Sequence, residues 1–257
     1  MKVKLRFYLL LIICLFSTSL FALPFQDGEK LTFSVKYGII KAGTATFEAK
    51  SSTYQNRPVW RLCITAQTYP FFDVVYKIRD KIESWWDKET LLPHKSSKQL
   101  HEGKYQQYRI HYFDQVNKKT TYMKWSYKEE KWKTEEKNLP FETQDIVSSF
   151  YELRNRSLKP GDKPKLYVTT DGKSVVTTVK VLRREKVSSI FGDVNCLVLE
   201  PDMKSEGIFK GSSKLLIWVT DDAYKIPVKV ESSVSIGTFV VQLEDAQNVP
   251  YKIKKSN

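Results

Sequence analysis

Asp80, Glu83 and Asp87 stand within one short stretch, YKIRDKIESWWD (Tyr76–Asp87), among Lys77, Arg79 and Lys81 and beside the adjacent Trp85 and Trp86. Carboxylates next to cations and aromatic rings are the materials of a glycoside hydrolase or of a charged ligand site. Conformation decides what they can do. On a helix, Glu83 and Asp87 lie one turn apart and could cooperate. On a strand rising about 3.3 Å per residue they are roughly 13 Å apart, beyond the roughly 5–9.5 Å of paired glycosidase carboxylates. The β-branched and aromatic residues of the preceding PFFDVVYKI favour a strand. Tyr76, Ile78, Asp80, Ile82, Ser84 and Trp86 then share one face, on which Asp80 is the charged exception. A carboxylate there needs a partner, and an arginine from a neighbouring strand is the leading expectation; a ligand or proton-transfer role is the alternative. Arg79 and Trp85, on the other face, join Asp80 and Trp86 as candidate ligand-binding residues.

Other chemistry is sparse. There is no GxSxG, no CxxC and no phosphate-cradling glycine loop. His94, His101 and His111 lie in or beside a single hairpin around Gly103, on faces that do not converge on a metal. No catalytic residue, cofactor or metal site is therefore expected, and a hydrolase assembled from Asp80, Glu83 or Asp222 is the least favoured reading. Trp125 and Trp132, with Tyr122 and Tyr127, accompany Trp85 and Trp86 around a lysine-rich hairpin, KKTTYMKWSYKEEKWK. Rings and ammonium groups on one surface suit glycan stacking or a lipid headgroup boundary; ordinary cross-strand aromatic pairs account for the same residues.

The elements that must hold these side chains alternate with period two. In KLTFSVKY, Leu31, Phe33, Val35 and Tyr37 face away from Lys30, Thr32, Ser34 and Lys36. Similar runs recur to Leu243, separated by short turn signals such as Glu102-Gly103 and Asp171-Gly172, which implies antiparallel neighbours. A single segment breaks the pattern. Ile146, Phe150 and Leu153 follow helical spacing, Asp145 can cap the start and Pro160-Gly161 ends the element, so one helix is expected at about 144–156.

Lys2, Lys4 and Arg6 precede an apolar run from Phe7 to Phe16 and small residues up to Ala22. That is a secretory signal peptide at 1–22, leaving 23–257 as one β-rich domain with no transmembrane span after cleavage. The formal charge of +13 falls to +10 without those three cations. Outside the cytoplasm nucleic acid is excluded, and the anionic partners are phospholipid, lipopolysaccharide or cell-wall polymer. Cys63 and Cys196 are the mature cysteines; an oxidising compartment admits a disulfide between them, and two buried free thiols fit their apolar strands equally.

GEKLTFSVKYGIIKAGTATFEA (28–49), IRDKIESWWD (78–87), QDIVSSFYELRNRSLKPGD (144–162), TDGKSVVTTVKVLRREKV (170–187) and GIFKGSSKLLIWVTDDAYKIPVKVE (207–231) occur in one order. As an ordered set they resemble domain-of-unknown-function family 3108, exported envelope proteins of Gram-negative bacteria. The resemblance implies a periplasmic address and a β-rich fold, and supplies no catalytic residues. By analogy with periplasmic lipoprotein carriers, the expected architecture is a large curled antiparallel sheet, an open or incomplete barrel with one helix in its mouth. The function expected is non-enzymatic: binding an amphipathic envelope component, lipid or lipoprotein, on the concave face. The alternative is a scaffold that binds cell-wall glycan or protein.

Overall fold

Alternation along β1 (Glu29–Tyr37) drives Leu31 and Phe33 into the core, at 0% and 1% exposure. The same period builds β2 (Ile40–Tyr54) and β3 (Arg57–Thr68), then, after the short helix α1 (Pro70–Tyr76), β4 (Arg79–Asp87). β5 (Pro93–Glu102), β6 (Tyr105–Asp114), β7 (Lys119–Ser126) and β8 (Lys131–Asn138) continue the meander, each antiparallel to its predecessor. Helix α2 (Ile146–Arg154) leads to β9 (Lys165–Thr170), β10 (Lys173–Ser189), β11 (Gly192–Pro201), β12 (Lys214–Thr220), β13 (Pro227–Val234) and β14 (Gly237–Gln247). These belong to a computed structural model that describes residues 23–202, 214–234 and 237–254. The signal peptide expected at 1–22 and the beginning of the 207–231 stretch lie outside the described residues.

The fourteen strands form one sheet, ordered β8-β7-β6-β5-β4-β3-β2-β1-β14-β13-β12-β11-β10-β9. The chain starts in mid-sheet, runs out to one edge, crosses to the other edge through α2 and returns until β14 pairs with β1. Long strands twist, and bulges at Thr32/Phe33, Trp85/Trp86, Val181/Arg183 and Trp218/Val219 increase the twist, so the sheet curls. The curl stops short of a closed barrel. Its edge strand β8, KWKTEEKN, is charged and largely exposed, which discourages a further strand from adding there. The mainly β, curled antiparallel architecture read from the sequence is the one observed.

α2 fills the inside of the curl, with Val147 and Tyr151 packed on Leu62 and Trp86, and Leu153 on Val181, Leu197 and Leu199. Its start is set by Asp145, whose side chain accepts from the backbone of Val147 at 2.8 Å and of Ser148 at 3.0 Å, while Ser148 Oγ accepts from the Asp145 backbone.

Two expectations need correction. There are two helices among the described residues, not one, because PFFDVVY folds as α1 instead of extending β4 upstream. Pro70 at the first turn favours helix, and the reversal between β3 and β4 gives Val74 and Val75 no neighbouring strand to pair with. The remaining part of the opening stretch, Arg79–Asp87, is the expected strand.

Candidate functional site

Register places the inner wall. Phe47, Ile64 and Ile82 lie side by side across β2, β3 and β4, and Val35 lies beside Val241 across β1 and β14. These side chains are only partly buried, and Phe150 from α2 meets Phe47 edge-on at 5.9 Å. Together with α2 they form a partly covered apolar stretch beside the core.

A polar cluster sits at one side of that stretch. The tight turn between β9 and β10, Asp171 (φ +50°) and Gly172 (φ +77°), reaches across to the inner face of β5 and β6. Asp171 pairs with Lys98 at 2.5 Å and Arg109 at 2.7 Å. A Cβ on Gly172 would come within 2.9 Å of the Tyr122 ring, so only glycine allows this approach. The Gly172 N–H donates to His111 Nε2 at 3.1 Å, which leaves the proton on Nδ1 to donate to Thr120 Oγ1, also at 3.1 Å. Burial lowers the His111 pKa to about 4, so the ring is neutral. Asp145 behaves oppositely: burial raises its carboxyl to about 6 despite hydrogen bonds from Ser84, Ser148 and Val147. The space enclosed by Lys98, Arg109, His111, Asp145 and Asp171 is only about 20 Å³, room for roughly one water. That volume admits no organic substrate, and the cluster reads as a latch between the two edges of the sheet.

Asp80 has no arginine. It projects inward beside Ala66, its Oδ1 accepts the His101 N–H at 2.9 Å, and its carboxyl meets that of Glu102. Burial raises the pKa of Asp80; burial and then the charge of Asp80 raise that of Glu102. The expected salt bridge is thus a carboxyl pair. Groups with raised folded pKa values hold protons that the unfolded chain releases, so their contribution to stability is present in acid and lost as the pH rises through the folded values. Asp80→Asn keeps the acceptor for His101 and can donate to Glu102. The variant should melt no lower than the parent at pH 7, with its advantage shrinking toward pH 5; calorimetry at both pH values checks this, and a clear loss at pH 7 refutes the pairing.

The other candidates separate. Arg79 is held by Asp73 at 2.5 Å and by the Thr68 carbonyl, and it anchors α1. Trp86 is fully buried, donating through Nε1 to the Leu91 carbonyl and to Gln144 Oε1 at 3.0 Å. Trp85 is on the outer face, near Tyr54, with Lys95 Nζ 4.7 Å from its ring. Trp125 and Trp132 are cross-strand partners 5.4 Å apart, and Tyr108 stacks edge-on against Trp132 at 4.8 Å. The four tryptophans therefore do not form one surface. Glu83, paired with Arg61 and Lys81, faces opposite to Asp80 on β4, and Asp222 is tied to the turn at Tyr224 and Lys225. Nothing brings these three carboxylates together.

Cys63 and Cys196 are both free thiols. Five strands separate β3 from β11 in the sheet; Cys196 is core, whereas Cys63 is on the outer side beside Glu48 and Glu83. Burial raises both thiols, to about 11 and about 12 respectively, so neither is nucleophilic. Among the described residues no three His, Cys, Asp or Glu side chains are placed to hold a metal ion, and no helix is long and apolar enough to cross a membrane.

The buried pair Glu29–Arg154 was not anticipated. Arg154 Nη1 donates to Glu29 Oε1 at 2.6 Å, and both side chains are 1% exposed. Its only trace in the sequence is an arginine next to Leu153 at the end of α2.

Among solved structures, the chain is similar to a β-barrel-like protein of domain of unknown function DUF1849 from Brucella abortus. The TM-score is 0.56 at 11% identity, over 88% of this chain and 99% of that one, a likeness of fold alone. A Bacteroides fragilis protein with a YmcC-like fold matches over 88% of this chain and 98% of its own at 11% identity, but its TM-score of 0.32 is too low to bear on the fold. No curated protein matches the chain. The model of DUF3108, a protein family of unknown function, matches residues 32–244, and the chain belongs to that family.

Proposed function

We propose that this is a non-enzymatic protein, exported to the periplasm, that binds the apolar part of an amphipathic envelope molecule, a lipid or the acyl chains of a lipoprotein, in the mouth of its curled sheet. The observation that carries the reading is the inner wall itself. Val35, Phe47, Ile64, Ile82, Phe150 and Val241 pack against the core yet stay partly uncovered. An uncovered apolar wall is worth roughly 25 cal/mol per Å² to any chain that covers it. α2 acts as the plug that limits how deep such a chain can go. The surplus of lysine and arginine over acidic residues, 42 against 29, supplies attraction for an anionic head.

A fluorescent fatty-acid probe, titrated below its micelle concentration, tests this. Phe150→Asp should weaken binding about tenfold or more, because it places a charge against the acyl chain. A thermal melt checks that the variant is folded, since Phe150 also packs on Phe47 and Tyr151. Failure of the parent protein to bind any probe overturns the reading.

A second reading has its own observation. Tyr108, Trp125 and Trp132 form a contiguous aromatic patch on the outer face of β6 to β8, suited to stacking on sugar rings. Sedimentation with purified sacculi, compared between the parent and Trp132→Ala, separates cell-wall binding from lipid binding.

A further inference from the structure

The rim of the sheet formed by one end of its central strands leaves large apolar side chains bare. Ile39, at the tip of the β1–β2 hairpin, is 98% exposed, and Phe71, Val74 and Val75 on α1 are 79%, 90% and 81% exposed. α1 buries none of its residues. A seven-residue helix has no stability of its own, and this one is held in place from outside. Arg79 grips Asp73 through both carboxylate oxygens, at 3.0 and 2.5 Å, and Thr68 bonds the same side chain. The apolar residues are thus presented on a fixed support.

The two segments adjoin. The Tyr69 N–H donates to the Ala42 carbonyl at 3.0 Å, and Gly43 pairs with Thr68. On one side Gly237, the first residue of β14, lies under the Tyr37 ring, and an open cleft of about 480 Å³ forms among Tyr37, Ile39, Ile40 and Gly237. On the other side Tyr76 covers Gly103 of the β5–β6 turn. Exposed Lys77 and Lys104 flank this rim. Val116 is as exposed as Val74, but it is a lone residue in the turn at the far end of β6.

We propose that this rim docks on an anionic lipid bilayer, with Ile39, Phe71, Val74 and Val75 entering the boundary between headgroups and acyl chains and Lys77 and Lys104 meeting lipid phosphates. Protruding apolar residues flanked by two ammonium groups match the layered chemistry of such a surface, apolar beneath and anionic above. A protein partner would have to supply a groove for a ridge this narrow, whereas a fluid bilayer accommodates it without a preformed shape. Docking extends the mouth-binding reading, since the same rim borders the mouth. The two are measured separately.

The test is co-sedimentation of the leaderless chain with vesicles of phosphatidylcholine containing phosphatidylglycerol, and with phosphatidylcholine alone. The parent should bind the anionic vesicles more tightly, and added salt should weaken it. Phe71→Ser with Val74→Ser should lose about tenfold or more in binding at an unchanged melting temperature, both sites being bare already. Lys77→Glu with Lys104→Glu should cost about fivefold per lysine and flatten the salt dependence. Equal binding by parent and Phe71/Val74 variant, or no binding by the parent, overturns the proposal. So does a parent that dimerises in sedimentation velocity while that variant stays monomeric, since a second copy would then cover the rim. Uptake of a soluble fatty-acid probe without vesicles reads the mouth alone, so loss of one activity leaves the other measurable.

Discussion

Arg154→Leu is expected to lower the unfolding free energy by about 3–5 kcal/mol, the usual cost of leaving one member of a buried ion pair alone. The guanidinium bonds both carboxylate oxygens of Glu29, at 2.6 and 2.9 Å, together with the carbonyls of Pro24 at 3.0 Å and Tyr224 at 3.1 Å. It ties α2 at once to the segment before β1 and to the turn before β13. Leucine leaves a buried charge at Glu29 and takes the donors from the Pro24 and Tyr224 carbonyls. Replacing both members, Glu29→Leu with Arg154→Leu, should recover part of the loss, because no isolated charge then remains. Urea denaturation of the parent, both single variants and the double variant measures the coupling. Single variants within 1 kcal/mol of the parent would refute the assignment.

Trp86→Ala should cost about 3–5 kcal/mol, the range for truncating a fully buried large aromatic. The ring packs on Phe25, with centroids 6.3 Å apart, and its indole N–H is shared between the Leu91 carbonyl and Gln144. Its neighbour is the control. Trp85 lies on the outer face, partly exposed, and its truncation should cost about 1 kcal/mol or less. Thermal melts of the two variants side by side check both, and equal losses would contradict the facing assigned to β4.

That pair shows what alternation alone can reveal. Leu31, Phe33 and Val35, or Ser84 and Trp86, are inward residues because a strand admits only two faces, and a period of two is local information. The start of α2 was legible for the same reason, since Asp145 caps donors only two and three residues away. α1 was not, because the β-branched content of PFFDVVY outweighed the one contrary signal, Pro70. Asp80 could be recognised as an oddity but its partner could not. Glu102 reaches it diagonally across β4 and β5, and a shift of two residues in that register would have put Leu100 in its place. The mouth, the Asp171 latch and Glu29–Arg154 all depend on how far the sheet curls, which follows from bulges and packing distributed over many strands.

The order of the strands also dictates when the molecule can finish folding. Every neighbouring pair is consecutive in the chain except β1 with β14, whose partners, such as Lys30 and Gln247, come from opposite ends. The two arms of the meander can zip up hairpin by hairpin, but the central seam must wait for the last strand to be delivered. Until then β1 offers a bare hydrogen-bonding edge, so a nascent or truncated chain is sticky along its middle, and the slow step of assembly is the closing of that seam.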